Sequence, residues 1–245
     1  MVAWWKAKQD YGRQLMLRAV IFDIDDTLQD WQAAIDRALS GVLADLAPDL
    51  RASAPERLQR AIASRYFVVR GGCVVHREHW RLLFESAAVW KAALPELEAG
   101  GADRIARRFQ EGLSAVAYPD ARQALEALCD RCTLATLSNN PYSEDSLRRL
   151  GLREFFQVVV PALEGYRKPS PEAFRRVCDE LAVAPGDALY VGDSITHDVE
   201  GALGAGLTPV WVDRHGGAEC ALPQGAHRVQ ALTELPRLLT GLGRS

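Results

Sequence analysis

Five short runs rich in β-branched and other apolar residues punctuate the chain, at 19–24, 133–138, 157–162, 188–193 and 208–213, and a weaker run lies at 226–230. Helical patterns separate most of them. Ala173, Phe174, Val177 and Leu181 share one helical face, as do Val199, Ala202 and Leu203. Ala121, Ala124, Leu125 and Leu128 form another stripe, which starts from Tyr118-Pro119-Asp120. Strand and helix in alternation predict an α/β fold, a Rossmann-like parallel sheet covered on both faces. In such a sheet ligands bind beyond the carboxyl ends of the strands, so the residues that follow each run matter most.

The interval between the first and second runs breaks the rhythm. From about Gln29 to Ala117 helical spacing dominates: Trp31, Ile35, Leu39, Val42 and Leu46, then Trp80, Leu83, Phe84 and Ala87, then Ile105, Phe109, Leu113 and Val116. The run 67–75 is ambiguous, and no convincing strand stands out elsewhere in the interval. A connection of this length exceeds a simple crossover. It predicts an inserted α-helical module at 29–117 that leaves beside the first strand and returns near Tyr118, with 18–28 and 118–245 as the core and 1–17 as a tail.

Polar residues gather where the strands end. The first run leads into Asp23-Ile24-Asp25-Asp26-Thr27, the second into Ser138-Asn139-Asn140, and the fourth into Asp193-Ser194 with Asp198 close behind. Lys168 follows the third. Carboxylates that converge repel one another unless a cation offsets them, and hard oxygen donors suit Mg²⁺. Mg²⁺ in turn commonly shares a substrate phosphate, whose oxygens Lys168, the Ser138 hydroxyl and backbone N–H groups near Asn139 are suited to hold.

Charge and cysteine usage narrow the class. The 245-residue chain has a formal net charge of -3, which argues against nucleic acid or an anionic membrane as principal partner. No apolar run is long enough to span a bilayer, and the N-terminus lacks a secretory pattern. Its tryptophans Trp4 and Trp5 suit either a tail or a short packing helix. Five scattered cysteines fit a reducing cytoplasm. Cys129 and Cys132 lack a second ligand pair and read as structural, and His76 and His79 lack a third ligand for zinc. The glycines of 201–206 follow helix periodicity rather than a strand, so they read as helix packing with a glycine stop, not a dinucleotide loop.

Taken in order, the segments around Asp23, Ser138, Lys168 and Asp193 resemble the four motifs of the haloacid dehalogenase (HAD) superfamily, and the insert is placed like that family's C1 cap. The resemblance implies that Asp23 is a nucleophile forming an aspartyl-phosphate and that Asp25 is the acid/base. It implies Mg²⁺ held by Asp23, the Asp25 carbonyl and Asp193. Ser138, Asn139 and Lys168 would bind phosphate, with Thr27 and Asp198 in support. Halide-displacing and phosphonate-cleaving relatives resemble patterns without an acid two residues after the nucleophile, so Asp25 favours phosphate esters. Asp26 stands where glycine is commoner and reads as a turn residue.

The expectation is a Mg²⁺-dependent phosphatase acting on a small phosphorylated metabolite, as a monomer or homodimer. A phosphomutase of the same family shares the four motifs, and a phospho-accepting signalling domain is the alternative of another class. Arg65, Arg70, His76, Arg77, His79 and Arg81 make part of the insert basic. They read as a solvated face or, with Gly71-Gly72 as a loop, as contacts to an anionic substrate group.

Overall fold

The computed structural model describes residues 17–70, 73–76, 87–114, 116–161, 167–214 and 221–242. The tail with Trp4 and Trp5, the Gly71-Gly72 loop, and Arg77, His79, Trp80, Arg81, Leu83 and Phe84 lie outside them. Two compact units emerge: an α/β unit formed by the chain up to Thr27 and, chiefly, from Pro119 onward, and a unit centred on Leu28–Tyr118.

The α/β unit is built on β1 (Ala19–Phe22), β6 (Thr133–Ser138), β7 (Val158–Pro161), β8 (Ala188–Gly192), β9 (Thr208–Val212) and β10 (His227–Val229). They form one sheet in the order β10-β9-β8-β1-β6-β7, every neighbouring pair parallel. The weak run near 226 is therefore an edge strand. Strand order reverses at β1, which lies between β6 and β8, and this reversal opens a crevice at the carboxyl ends. Register sets the neighbours of that crevice: Phe22 faces Thr136 and Val191, and the Asp23 N–H extends the ladder to the Val191 carbonyl at 2.8 Å.

Helices α5 (Ala121–Cys129), α6 (Ser143–Arg149), α7 (Pro171–Leu181), α8 (Gly201–Ala205) and α9 (Leu235–Leu242) complete the unit. Apolar stripes bury their expected faces, Ala173, Phe174 and Val177 among them. Phe174 meets Tyr190 edge to face, with ring centroids 4.8 Å apart. A Cβ on Gly201 would lie 2.7 Å from the Phe174 ring, so that glycine permits the close approach of α8. Gly206 ends α8 with φ 87°, the left-handed stop expected of it. Cys129 and Cys132 are free thiols.

Asp120 sits at the N-cap position of α5 but makes no cap hydrogen bond. Its carboxylate accepts two bonds from Arg214 Nη1 at 3.1 Å and one from the Leu232 N–H at 2.8 Å. Arg214 Nη2 also donates to the Thr27 carbonyl at 2.7 Å. One arginine thus fastens the last residue before the insert to the chain just after it.

In the other unit, α1 (Trp31–Ala44), α2 (Pro48–Tyr66), α3 (Ala87–Ala93) and α4 (Gly101–Gly112) dominate. Asp30 caps α1 by accepting the Ala33 N–H at 2.8 Å. Ala38, Val42, Leu94, Ile105 and Phe109 form its core around Trp90, whose ring centroid is 5.5 Å from that of Phe109. Here the ambiguous run at 67–75 proves to hold strands, and one further short pair forms where no strand is expected. Phe67–Arg70 and Cys73–His76 form the antiparallel pair β3–β4, where consecutive valines favour an extended backbone. Gln29–Asp30 (β2) pairs with Val116–Ala117 (β5), and Tyr118 N–H reaches the Leu28 carbonyl at 2.9 Å. Two-residue strands are too short for any periodicity to announce them.

Candidate active site

The end of β1 delivers Asp23 into the crevice with 6% of its surface exposed. The loop turns at once: Asp26 has φ 57°, the left-handed conformation in which glycine is favoured and aspartate is tolerated. This explains a turn residue at that position. Thr27 is buried, and its Oγ1 lies 3.5 Å from Asp193 Oδ1, a long contact for a hydroxyl.

Lys168, 3% exposed, reaches the same place from the segment before α7. Its Nζ donates to Asp198 Oδ1 at 2.6 Å and forms an ion pair with Asp23 Oδ1 at 2.8 Å. The ammonium also lies 5.4 Å from the centre of the Tyr190 ring, whose hydroxyl donates to the Leu137 carbonyl. Asn139 holds the lysine's backbone from both sides. Its Oδ1 accepts the Lys168 N–H and its Nδ2 donates to the Lys168 carbonyl, each at 2.9 Å. The Asn139 side chain is thus committed to positioning Lys168, and only its backbone faces the task expected from sequence.

Asp193 follows β8, and Trp211 Nε1 donates to its carbonyl at 2.8 Å. The next turn is a π-helical stretch, Ile195–Glu200, capped by Ser194. This winding returns Asp198 over the strand end, where Oδ2 accepts the Ser194 N–H at 2.9 Å. A Cβ on Gly192 would lie 2.3 Å from the Asp198 carboxyl carbon, so the strand must end in glycine for Asp198 to fit. Ser138, also buried, accepts the Asn140 N–H on its Oγ at 3.3 Å. Its hydroxyl proton remains a donor for an anion.

Asp23, Asp193 and Asp198 each bring one oxygen within 4.8 Å of the others. Three carboxylates face a single buried ammonium, and the imbalance shows in their proton affinity. Burial, followed by repulsion from Asp198 and Asp25, raises Asp23 to about 7 against the pull of Lys168. Asp193 rises as well, from burial and then Asp198, Asp26 and Asp23. Burial disfavours the Lys168 ammonium, but the two carboxylates outweigh it and raise the lysine. Hard oxygen donors carrying surplus negative charge fit a divalent cation such as Mg²⁺. Both Asp198 oxygens are engaged by Lys168 and Ser194, which suits support more than ligation.

The Asp25 carboxylate is not one of these three, though it lies near enough to repel Asp23. Its Oδ1 accepts from Asn140 Nδ2 at 3.1 Å. Asn140, Tyr190 and Trp211 take parts in this site that the sequence does not assign to them. Asn140 lay in a polar strand end that marked it, whereas Tyr190 and Trp211 carried only the signal of strand residues.

Comparisons with known proteins agree with this architecture. Residues 17–206 match the family model of haloacid dehalogenase-like hydrolases. N-acylneuraminate-9-phosphatase of Rattus norvegicus is 26% identical over 246 residues, spanning 92% of this chain and 95% of that protein. Glyceraldehyde 3-phosphate phosphatase of Methanopyrus kandleri is 30% identical over 208 residues, spanning 81% of this chain and 85% of its own. Among solved structures, the HAD phosphatase from Thermococcus onnurineus superimposes with a TM-score of 0.63 at 28% identity, covering 91% of this chain and 98% of that one. Fold, strand-end chemistry and family match converge: the chain is an enzyme of the haloacid dehalogenase-like hydrolase family.

Proposed function

We propose that this hydrolase is a Mg²⁺-dependent phosphatase that removes phosphate from a small phosphorylated metabolite through an aspartyl-phosphate. The observation that carries the reading is the division of labour among the carboxylates. Asp23 lies with Asp193 and Asp198 beside Lys168, while Asp25, two residues on, is engaged by an amide instead. A leaving alkoxide needs a proton, and a carboxyl group outside the cation cluster can supply it.

In the first step an Asp23 carboxylate oxygen bonds to phosphorus as the ester P–O bond breaks, and the leaving oxygen takes a proton from Asp25. In the second, water attacks the phosphorus, the Asp23–phosphorus bond breaks, and Asp25 recovers a proton from the water. Lys168 and the Ser138 hydroxyl hold the phosphoryl oxygens throughout. Asp23, the Asp25 carbonyl and Asp193 would hold Mg²⁺, which supplies charge neutralisation for the phosphoryl group. As a phosphoric monoester hydrolase the chain keeps company with relatives named as phosphatases across most of its length. The insertion of Leu28–Tyr118 directly after the first strand loop supports its assignment as a C1 cap. Free thiols at Cys129, Cys132 and Cys178 suit the cytoplasm.

The test is phosphate release from a panel of small phosphomonoesters, with Mg²⁺ and with chelator, for wild type and Asp23→Asn. Release should require both the metal and Asp23, and the panel should rank the substrates. Isomerised sugar phosphate in place of free phosphate would replace the reading with a mutase. A long-lived phosphoprotein would replace it with a signalling domain.

A further inference from the structure

We infer that Asn140 is the positioning residue for proton transfer at Asp25, holding one carboxyl oxygen as an acceptor so that the proton travels through the other. The inference rests on the phosphatase reading and extends it to a residue that has no assigned role in that reading.

Asn140 lies at the end of β6 and Asp25 at the end of the neighbouring β1, which brings together residues 115 apart in sequence. The asparagine is 4% exposed, and its amide is used on both edges. Oδ1 accepts the Tyr142 N–H at 2.9 Å, which fixes which edge carries the oxygen. The NH₂ edge is therefore the one turned to Asp25 Oδ1, at 3.1 Å. The Ser143 hydroxyl donates to the Asn140 carbonyl at 2.6 Å, and the Asn140 N–H is the one accepted by Ser138 Oγ. Every polar group of this residue is engaged, so the NH₂ cannot easily turn away from the carboxyl.

An amide N–H needs an acceptor oxygen. A protonated Asp25 meets that need only with its proton on Oδ2, leaving Oδ1 as the carbonyl oxygen. The acid is thereby held in one of its two forms before the ester arrives, much as a partner group fixes a histidine tautomer. In the first step the Oδ2 proton passes to the leaving oxygen as the P–O bond breaks. In the second, Oδ2 receives the proton of the attacking water. A turn residue alone would need only the acceptor oxygen toward Tyr142, and serine can supply that too.

The experiment compares kcat/KM for phenyl phosphate and 4-nitrophenyl phosphate in wild type, Asn140→Ser, Asn140→Ala and Asp25→Asn. The phenoxide is the stronger base and needs the proton; 4-nitrophenoxide leaves with little help. Serine can preserve the turn bond to Tyr142 while falling short of Asp25, and thermal unfolding of each variant reports the fold. Both Asn140 variants should lose about tenfold more on phenyl than on 4-nitrophenyl phosphate, with a larger bias in the same direction for Asp25→Asn. Equal losses on the two esters in the Asn140 variants, with the bias still present in Asp25→Asn, would overturn the role of Asn140 alone. A wild type silent on both esters, or an Asp25→Asn variant without the bias, would overturn the phosphatase reading and this inference together.

Discussion

In the α/β unit the buried side chains include Asp23, Ser138, Asn140, Lys168 and Asp198, whereas among the described residues the helical unit buries a single polar one, Gln29. The helical unit is not poor in charge. Its ion pairs, Arg108 with Asp45 and Arg57 with Glu96 among them, lie on the surface. The α/β unit carries surface pairs as well, such as Arg148 with Glu144, but it also withholds a few charged groups from water. Burying charge costs stability unless it is paired, so the buried arrangement persists for chemistry and the surface one for solubility.

Breaking the buried arrangement should have the largest effect. Lys168→Met leaves Asp23 and Asp198 without their cation, and should abolish turnover and lower the metal-free unfolding free energy by about 3–5 kcal/mol in chemical denaturation. Gly192→Ala attacks the same group from below. Its new Cβ displaces Asp198 from Lys168 and Ser194, with an expected cost of about 1–3 kcal/mol and a clear fall in kcat.

A subtler test sharpens the comparison through pH. Asp23 sits at about 7 in the fold against 3.8 for the unperturbed group, so the metal-free native state binds the extra proton between those values. This contribution to stability therefore declines as pH rises from about 4 to about 7. On the proposed role of Asp23 as a ligand, Mg²⁺ and that proton compete, so the rise in unfolding midpoint on adding Mg²⁺ should be larger at pH 8 than at pH 5, by differential scanning fluorimetry. A metal effect independent of pH would separate the cation from this carboxylate. The smallest change belongs to the helical unit. Arg108→Ala removes a pair whose partners are 47% and 60% exposed, and should cost less than about 1 kcal/mol in the same denaturation assay.

Much of the α/β unit was legible because its signals are local. A strand buried on both faces is a continuous apolar run, and Asp23, Ser138 and Asp193 announce themselves by following such runs. The glycines near 201 were legible for the same reason, being in phase with a helix. Partnerships were not. Nothing near Asn139 indicates that its amide clasps the backbone of Lys168, and nothing near Trp211 indicates that its indole holds the Asp193 carbonyl. These bonds depend on which strands become neighbours, and that order is a property of the whole sheet. The valine-rich 67–75 region was ambiguous for a different reason, since a short apolar run suits strand and helix alike.

The knot of bonds around Arg214 bears on how such a chain can diversify. Thr27 and Asp120 are the two lips of the cut through which the insert is spliced, and one guanidinium sutures them. With the wound closed from inside the host, the length of the guest loop sets only a slowly growing closure entropy. A lineage could therefore lengthen, shorten or exchange the guest while the strand ends stay in register, which makes this site a natural graft point.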